Sequence, residues 1–126
     1  MIEKALSVLQ KYFGYTQFRD GQQKVIDSLL RRTDTLAIMP TGAGKSLAYQ
    51  IPALLFEGTT LVISPLISLM KDQVDALLQY GVPATFINSS LSLKEVRSRI
   101  ERAARGEFKL LYIAPERLES ESFRSL

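Results

Sequence analysis

Four short runs of continuous apolar residues, "TLAIM" (35–39), "TLVIS" (60–64), "ATFI" (84–87) and "KLLYI" (109–113), set the frame for this chain. Each has strand length and none alternates apolar with polar, which is the pattern of strands covered on both faces. Helical spacing stands before and between them: Val25, Ile26, Leu29 and Leu30 before the first run, then Val74, Leu77 and Leu78 between the second and third. Ile2, Ala5, Leu6 and Leu9 form a further stripe at the start. Gly81 and Pro83 end the helix of Val74, and Ser92 with Glu95 reads as a capping box opening a helix that Gly106 closes. Strands alternating with helices require right-handed crossovers. The expected product is a doubly wound α/β layer of four parallel strands, with ligands at their carboxyl ends. A chain of 126 residues has room for one such domain.

The stretch "IMPTGAGKSLAYQ" (38–50) stands at the end of the first apolar run, where a helix begins. A glycine-rich loop in that place turns backbone N–H groups and the positive end of a helix toward phosphate. Thr41, Gly42, Ala43 and Gly44 are the expected cradle, Lys45 the cation for the outer phosphates, and Ser46 the hydroxyl that ligates magnesium through a bound nucleotide. The strict phosphate-loop pattern asks for glycine at position 39, where this chain has Met39. The departure costs little if Met39 closes the strand and the tight turn begins at Pro40. Lys45 and Ser46 are therefore the expected catalytic contacts. Cysteine and histidine are both absent, which excludes disulfides, thiol nucleophiles, imidazole bases and zinc sites built from them. The net charge of +3 suits a polyanionic partner without demanding one. No apolar run is long enough to span a bilayer, so a cytoplasmic protein without a membrane partner is expected.

"MPTGAGKS" resembles motif I of superfamily-two helicases, and its flanks narrow the resemblance. "FGYTQFRDGQ" (13–22) resembles the aromatic, Arg and Gln element of RecQ-family DNA helicases; "VISPLISLMKDQV" (62–74) and "LLYIAPERL" (110–118) resemble motifs Ia and Ib of that family. The resemblance covers nearly the whole chain. It implies a P-loop NTPase of RecA-like fold, a parallel sheet flanked by helices, present as an incomplete first lobe over 1–126. Within it, 1–22 would be the adenine-recognition element and 35–126 the P-loop sheet portion. ATP and Mg²⁺ are the implied cofactors. On chemistry alone, the Gln22 amide can donate to and accept from the edge of adenine, while Tyr15 and Arg19 offer flat groups for stacking. The alternative is that these three are simply surface, with Phe13 and Phe18 as core aromatics.

For DNA, Ser64 and Pro65 follow the second apolar run, where the start of a helix could hold the backbone of a single strand. Leu66, Leu69, Met70 and Val74 read as core. Lys71 is open between a solvated charge and a phosphate contact. Pro115 and Arg117 line the DNA side by resemblance, although Arg117 could instead pair with Glu116 or Glu119. Arg99, Arg102 and Arg105 fall opposite Leu93, Val96, Ile100 and Ala104 and are expected on the solvent face. The Asp-Glu-x-His box that such helicases use to hold magnesium and position water does not occur in these residues. The second RecA-like lobe is likewise expected to be missing. The resemblance thus implies part of an ATP-dependent 3′–5′ DNA helicase of recombination and repair, in a bacterial cytoplasm or nucleoid, with the fragment alone inactive in hydrolysis. A small P-loop kinase and a non-catalytic nucleotide- or DNA-binding module are the competing classes.

Overall fold

The computed structural model describes residues 1–40 and 44–125, and the chain divides into two compact units, Met1–Glu57 and Gly58–Leu126.

The first unit is helical. Helix α1 (Ile2–Val8) buries Ala5 and runs directly into one π-helical turn, Leu9–Phe13, whose first and last residues are both buried. Gly14, at φ 78°, ends it in the left-handed region that favours glycine. Helix α2 (Gln22–Leu30) buries Ile26 and Leu30 and, unusually for a polar residue, Gln22. Helix α3 (Lys45–Leu55) continues through Pro52 and buries Ala48, Ile51 and Ala53. The three helices pack on one another.

The expected strand at 35–39 is not formed: 33–40 carries no regular structure, and Leu36 and Ile38 are 89% and 90% exposed. A strand needs a neighbour for its backbone groups and cover for its faces, and intrinsic preference does not replace either. This run has neither among the described residues.

The second unit holds a three-stranded parallel sheet of β1 (Thr60–Ile63), β2 (Ala84–Ile87) and β3 (Leu110–Ile113), in the order β1-β3-β2. Three of the four expected strands therefore exist, with the expected orientation. Ile63 and Ile87 both stand in register with Ile113, so the carboxyl ends of the three strands finish side by side. Helix α4 (Ile67–Gln79) joins β1 to β2, and α5 (Leu93–Ala104) joins β2 to β3. A 3-10 turn (Pro115–Glu119) and the short α6 (Glu121–Arg124) follow. Ile87, Leu111 and Ile113 of the sheet form one core with Val96 of α5 and Phe123 of α6.

The punctuation acts as the sequence suggests. Ser92 Oγ accepts from the Glu95 N–H at 3.2 Å while Glu95 Oε1 accepts from the Ser92 N–H at 3.3 Å, completing the capping box. At the other end of α5 the Gly106 and Glu107 N–H groups reach back to the carbonyls of Ala103 and Arg102. Four expectations of burial fail. Leu93 and Ala104, expected on the covered face of α5, are exposed, which leaves Val96 as the buried residue of that helix. Leu66, Leu69 and Leu78 are 57%, 46% and 52% exposed, leaving the stripe of Met70, Val74 and Leu77 to hold α4. Strand β1 is covered on one face only, because Leu61 and Ile63 are half exposed. Arg99, expected in solvent, is instead largely covered: its guanidinium donates to the Phe86 carbonyl at 2.7 Å and lies over the Phe86 ring.

Candidate nucleotide and nucleic-acid sites

In the first unit the segment after the π turn folds back on the start of α3. Gly44 caps that helix at φ 77°, and Lys45 and Ser46 are its first two residues, the lysine exposed and the serine half-buried. Glycine is required at 44 twice over. The backbone is left-handed there, and a Cβ would collide with Nε2 of Gln22. That close approach carries a hydrogen bond: Gln22 Nε2 donates to the Gly44 carbonyl at 3.1 Å, while Gln22 Oε1 accepts from the Arg19 N–H at 2.8 Å. The buried amide thus joins the loop before α2 to the first residue before α3. Thr41, Gly42 and Ala43, also expected in the phosphate cradle, lie outside the described residues.

Beside this link is a cavity of about 130 Å³, too small for a whole nucleotide and of a size for one ring system. Leu9 and Leu47 give it apolar walls, Gln22 and Gly44 close it, and the exposed Tyr15, Gln17 and Arg19 surround its mouth. The structure therefore brings Tyr15, Arg19 and Gln22 to one cavity next to Lys45, as the sequence suggests. It adds Leu9, Gln17 and Leu47. Leu9 is brought in by the π turn, which has no signature in the apolar spacing. Gln17 could have been found from its place inside the quoted aromatic, Arg and Gln element.

The second unit gathers its polar loops at the carboxyl edge of the sheet, where open α/β sheets place ligands. Ser64 extends the ladder by donating its N–H to the Ile113 carbonyl at 3.0 Å, and its Oγ accepts from the Leu66 N–H at 3.1 Å. Pro65 is exposed and lies before α4, which begins only at Ile67. Lys71 is exposed and paired with Asp75 at 2.6 Å, and that contact raises its pKa above the ordinary lysine value. Pro115 opens the 3-10 turn after β3. Arg117 is half-buried and donates to the Asn88 carbonyl at 3.5 Å, rather than pairing with a neighbouring glutamate.

Asn88, directly after β2, was not singled out in the sequence. It is 1% exposed, its Oδ1 accepts from the N–H and Oγ of Ser90, and its Nδ2 donates to the Met70 sulfur at 3.5 Å. One asparagine thus ties α4, its own turn and Arg117 together. Its position at the end of an apolar run was the available signal. Among the described residues no group of acidic or imidazole side chains is arranged to hold a metal by itself, and no helix is long and apolar enough to cross a membrane.

The first unit thus holds a glycine-capped Lys-Ser helix start beside a small cavity, and the second a parallel sheet with polar loops at its carboxyl edge, in a chain of the α/β class. A DEAD/DEAH box helicase model matches residues 19–125, and the chain belongs to that family. It is 56% identical over 124 residues to ATP-dependent DNA helicase RecQ of Bacillus subtilis, covering 98% of this chain and 21% of that protein. Identity to the RecQ of Pasteurella multocida is 55%, over 96% and 19%. To ATP-dependent DNA helicase Q1 of Mus musculus it is 44%, over 97% and 19%. The chain spans about a fifth of the length of these curated relatives. A crystal structure of a hypothetical ATP-dependent RNA helicase from Sulfolobus tokodaii has the same fold, with a TM-score of 0.74 at 23% identity over 94% of this chain and 35% of that one. The RecA-like helicase fold and the RecQ-type sequence are both those expected from the motifs.

Proposed function

We propose that this chain is the ATP-binding and single-stranded-DNA-contacting part of an ATP-dependent 3′–5′ DNA helicase acting in recombination and repair, in a bacterial cytoplasm or nucleoid. The observation that carries the nucleotide half is the Gln22–Gly44 hydrogen bond, which joins a base-sized cavity to the start of the Lys45 helix. In this reading adenine enters between Tyr15 and Arg19, and the phosphates meet the N-terminus of α3. Lys45 offsets their charge. Gly44 carries no side chain, which lets the Gln22 amide pack directly against the backbone at the start of that helix. Magnesium would be held through the nucleotide by the Ser46 hydroxyl, and it would neutralise charge on the transferring phosphate. The DNA half rests on Ser64, Pro65, Lys71, Pro115 and Arg117, acting on the sugar-phosphate backbone without reading sequence. Lys71 takes part only by exchanging Asp75 for a phosphate.

These 126 residues contain neither histidine nor an adjacent Asp-Glu pair. That observation favours, for the chain alone, a binding module that holds ATP without multiple turnover. Titration calorimetry with ATP and magnesium tests the reading. Binding by the wild type and its loss in Lys45→Ala are expected; equal affinity in the two would remove the phosphate-loop assignment.

A further inference from the structure

The cavity beside Gly44 has two carboxamides on it, and they differ in one respect. Gln22 is 1% exposed and fixed: its oxygen is held by the Arg19 N–H and its nitrogen by the Gly44 carbonyl. Only one lone pair and one hydrogen remain to it, presented in a set order. Gln17 is exposed, lines the same cavity, and makes no hydrogen bond among the described residues. Its amide is free to turn end for end.

We propose that Gln17 is a base-binding residue that adds affinity for a purine without selecting which purine. This rests on the nucleotide reading above and deepens it. Adenine presents a donor at N6 beside an acceptor at N7, whereas guanine presents acceptors at both O6 and N7. A freely turning amide satisfies either edge, since it offers both a carbonyl and an NH₂. A fixed amide cannot, so selection belongs to Gln22 and its two backbone anchors.

The test measures ATP, GTP and inorganic tripolyphosphate binding to the full 126-residue chain. Gln17→Ala should weaken ATP and GTP by the same factor, about threefold to tenfold for one hydrogen bond. Tripolyphosphate binding and the ligand-free melting temperature should not change, because the side chain supports nothing in the fold. Gln17→Glu carries acceptors only. It should keep a bond to N6 of adenine and oppose the guanine edge, raising the ATP-to-GTP ratio above that of the wild type. Unchanged ATP affinity in Gln17→Ala, or an equal loss for tripolyphosphate, overturns the assignment while leaving the nucleotide site standing. A wild type that binds no ATP, or a Lys45→Ala protein that binds it equally well, overturns both.

Discussion

Ile63 and Ile87 flank the same residue, Ile113, one from each side of the central strand, and their surroundings could hardly differ more. Ile87 is fully buried while Ile63 is 51% exposed. The flank of β2 is finished. All four of its residues are buried, and its outward carbonyl at Phe86 is taken by Arg99, whose side chain also covers the Phe86 ring at 4.6 Å. That is one way to close a sheet edge against unwanted pairing. Burial also holds the Arg99 guanidinium pKa below its ordinary value. Among the described residues the flank of β1 has no such plug. Leu61 instead opens, with Leu111, Leu118 and Phe123 and beside the polar Thr59 and Arg124, onto a cavity of about 450 Å³. The same side-chain chemistry is therefore core on one flank and surface on the other. What separates them is the presence of a covering element, not the run itself.

The largest expected effect comes from truncating the two isoleucines. Ile87→Ala removes fully buried atoms from the cluster of Val96, Leu111 and Phe123 and should destabilise the chain by about 2–5 kcal/mol. Ile63→Ala removes atoms already half in water and should cost about 1 kcal/mol or less. Urea unfolding followed by circular dichroism measures both. Equal losses would mean that the β1 flank is covered after all.

This contrast also shows what could be read in advance. Features made by neighbouring residues were legible: the capping box of Ser92 and Glu95, the glycine stops, and a helix starting at Lys45 after a glycine. The parallel orientation was legible too, because short apolar runs separated by amphipathic helices leave few other topologies. What depended on distant partners was not. "TLAIM" has the composition of a strand and "TLVIS" that of a covered one, yet pairing and cover come from elsewhere in space. At the nucleotide site, residue types pointed to Gln22 and Arg19 but could not show the Gln22 amide engaged by Gly44, 22 positions away. Arg99 failed for a related reason: a helical wheel assigns a direction to a side chain, whereas a long arginine can bend back onto a neighbouring strand.

The arginine difference supplies an intermediate effect. Arg99→Ala leaves the Phe86 carbonyl without its charged donor and uncovers the ring, which should cost about 1.5–3 kcal/mol. Arg105→Ala, on the exposed end of the same helix, should stay within about 0.5 kcal/mol. Arg99→Lys should recover only part of the loss, since an ammonium cannot donate in the plane and stack as a guanidinium does. Thermal melting of the three variants orders them. If Arg105→Ala proved as damaging as Arg99→Ala, the plugging of the β2 flank would not be what distinguishes these arginines.

The smallest expected effect concerns Glu107, which accepts from Arg105 Nε at 2.8 Å and from Arg102 Nε at 3.0 Å. The Arg105 contact first, and the Arg102 contact second, hold its carboxyl pKa below the ordinary glutamate value. A depressed folded-state pKa fixes the sign of the pH dependence. The unfolded chain binds the proton more readily, so the contribution is complete above the unfolded value, about pH 4.3, and is lost as pH falls through the lower folded one. Melting temperatures of wild type and Glu107→Gln should therefore differ slightly near neutral pH, converge in acid, and converge at neutral pH in high salt, because the groups are open to solvent and screened. A gap that survives both acid and high salt would show that Glu107 acts by packing. The exposed end of α5 would then be held as firmly as its Arg99 end, and the contrast between plugged and solvated arginines would fail at its weaker member.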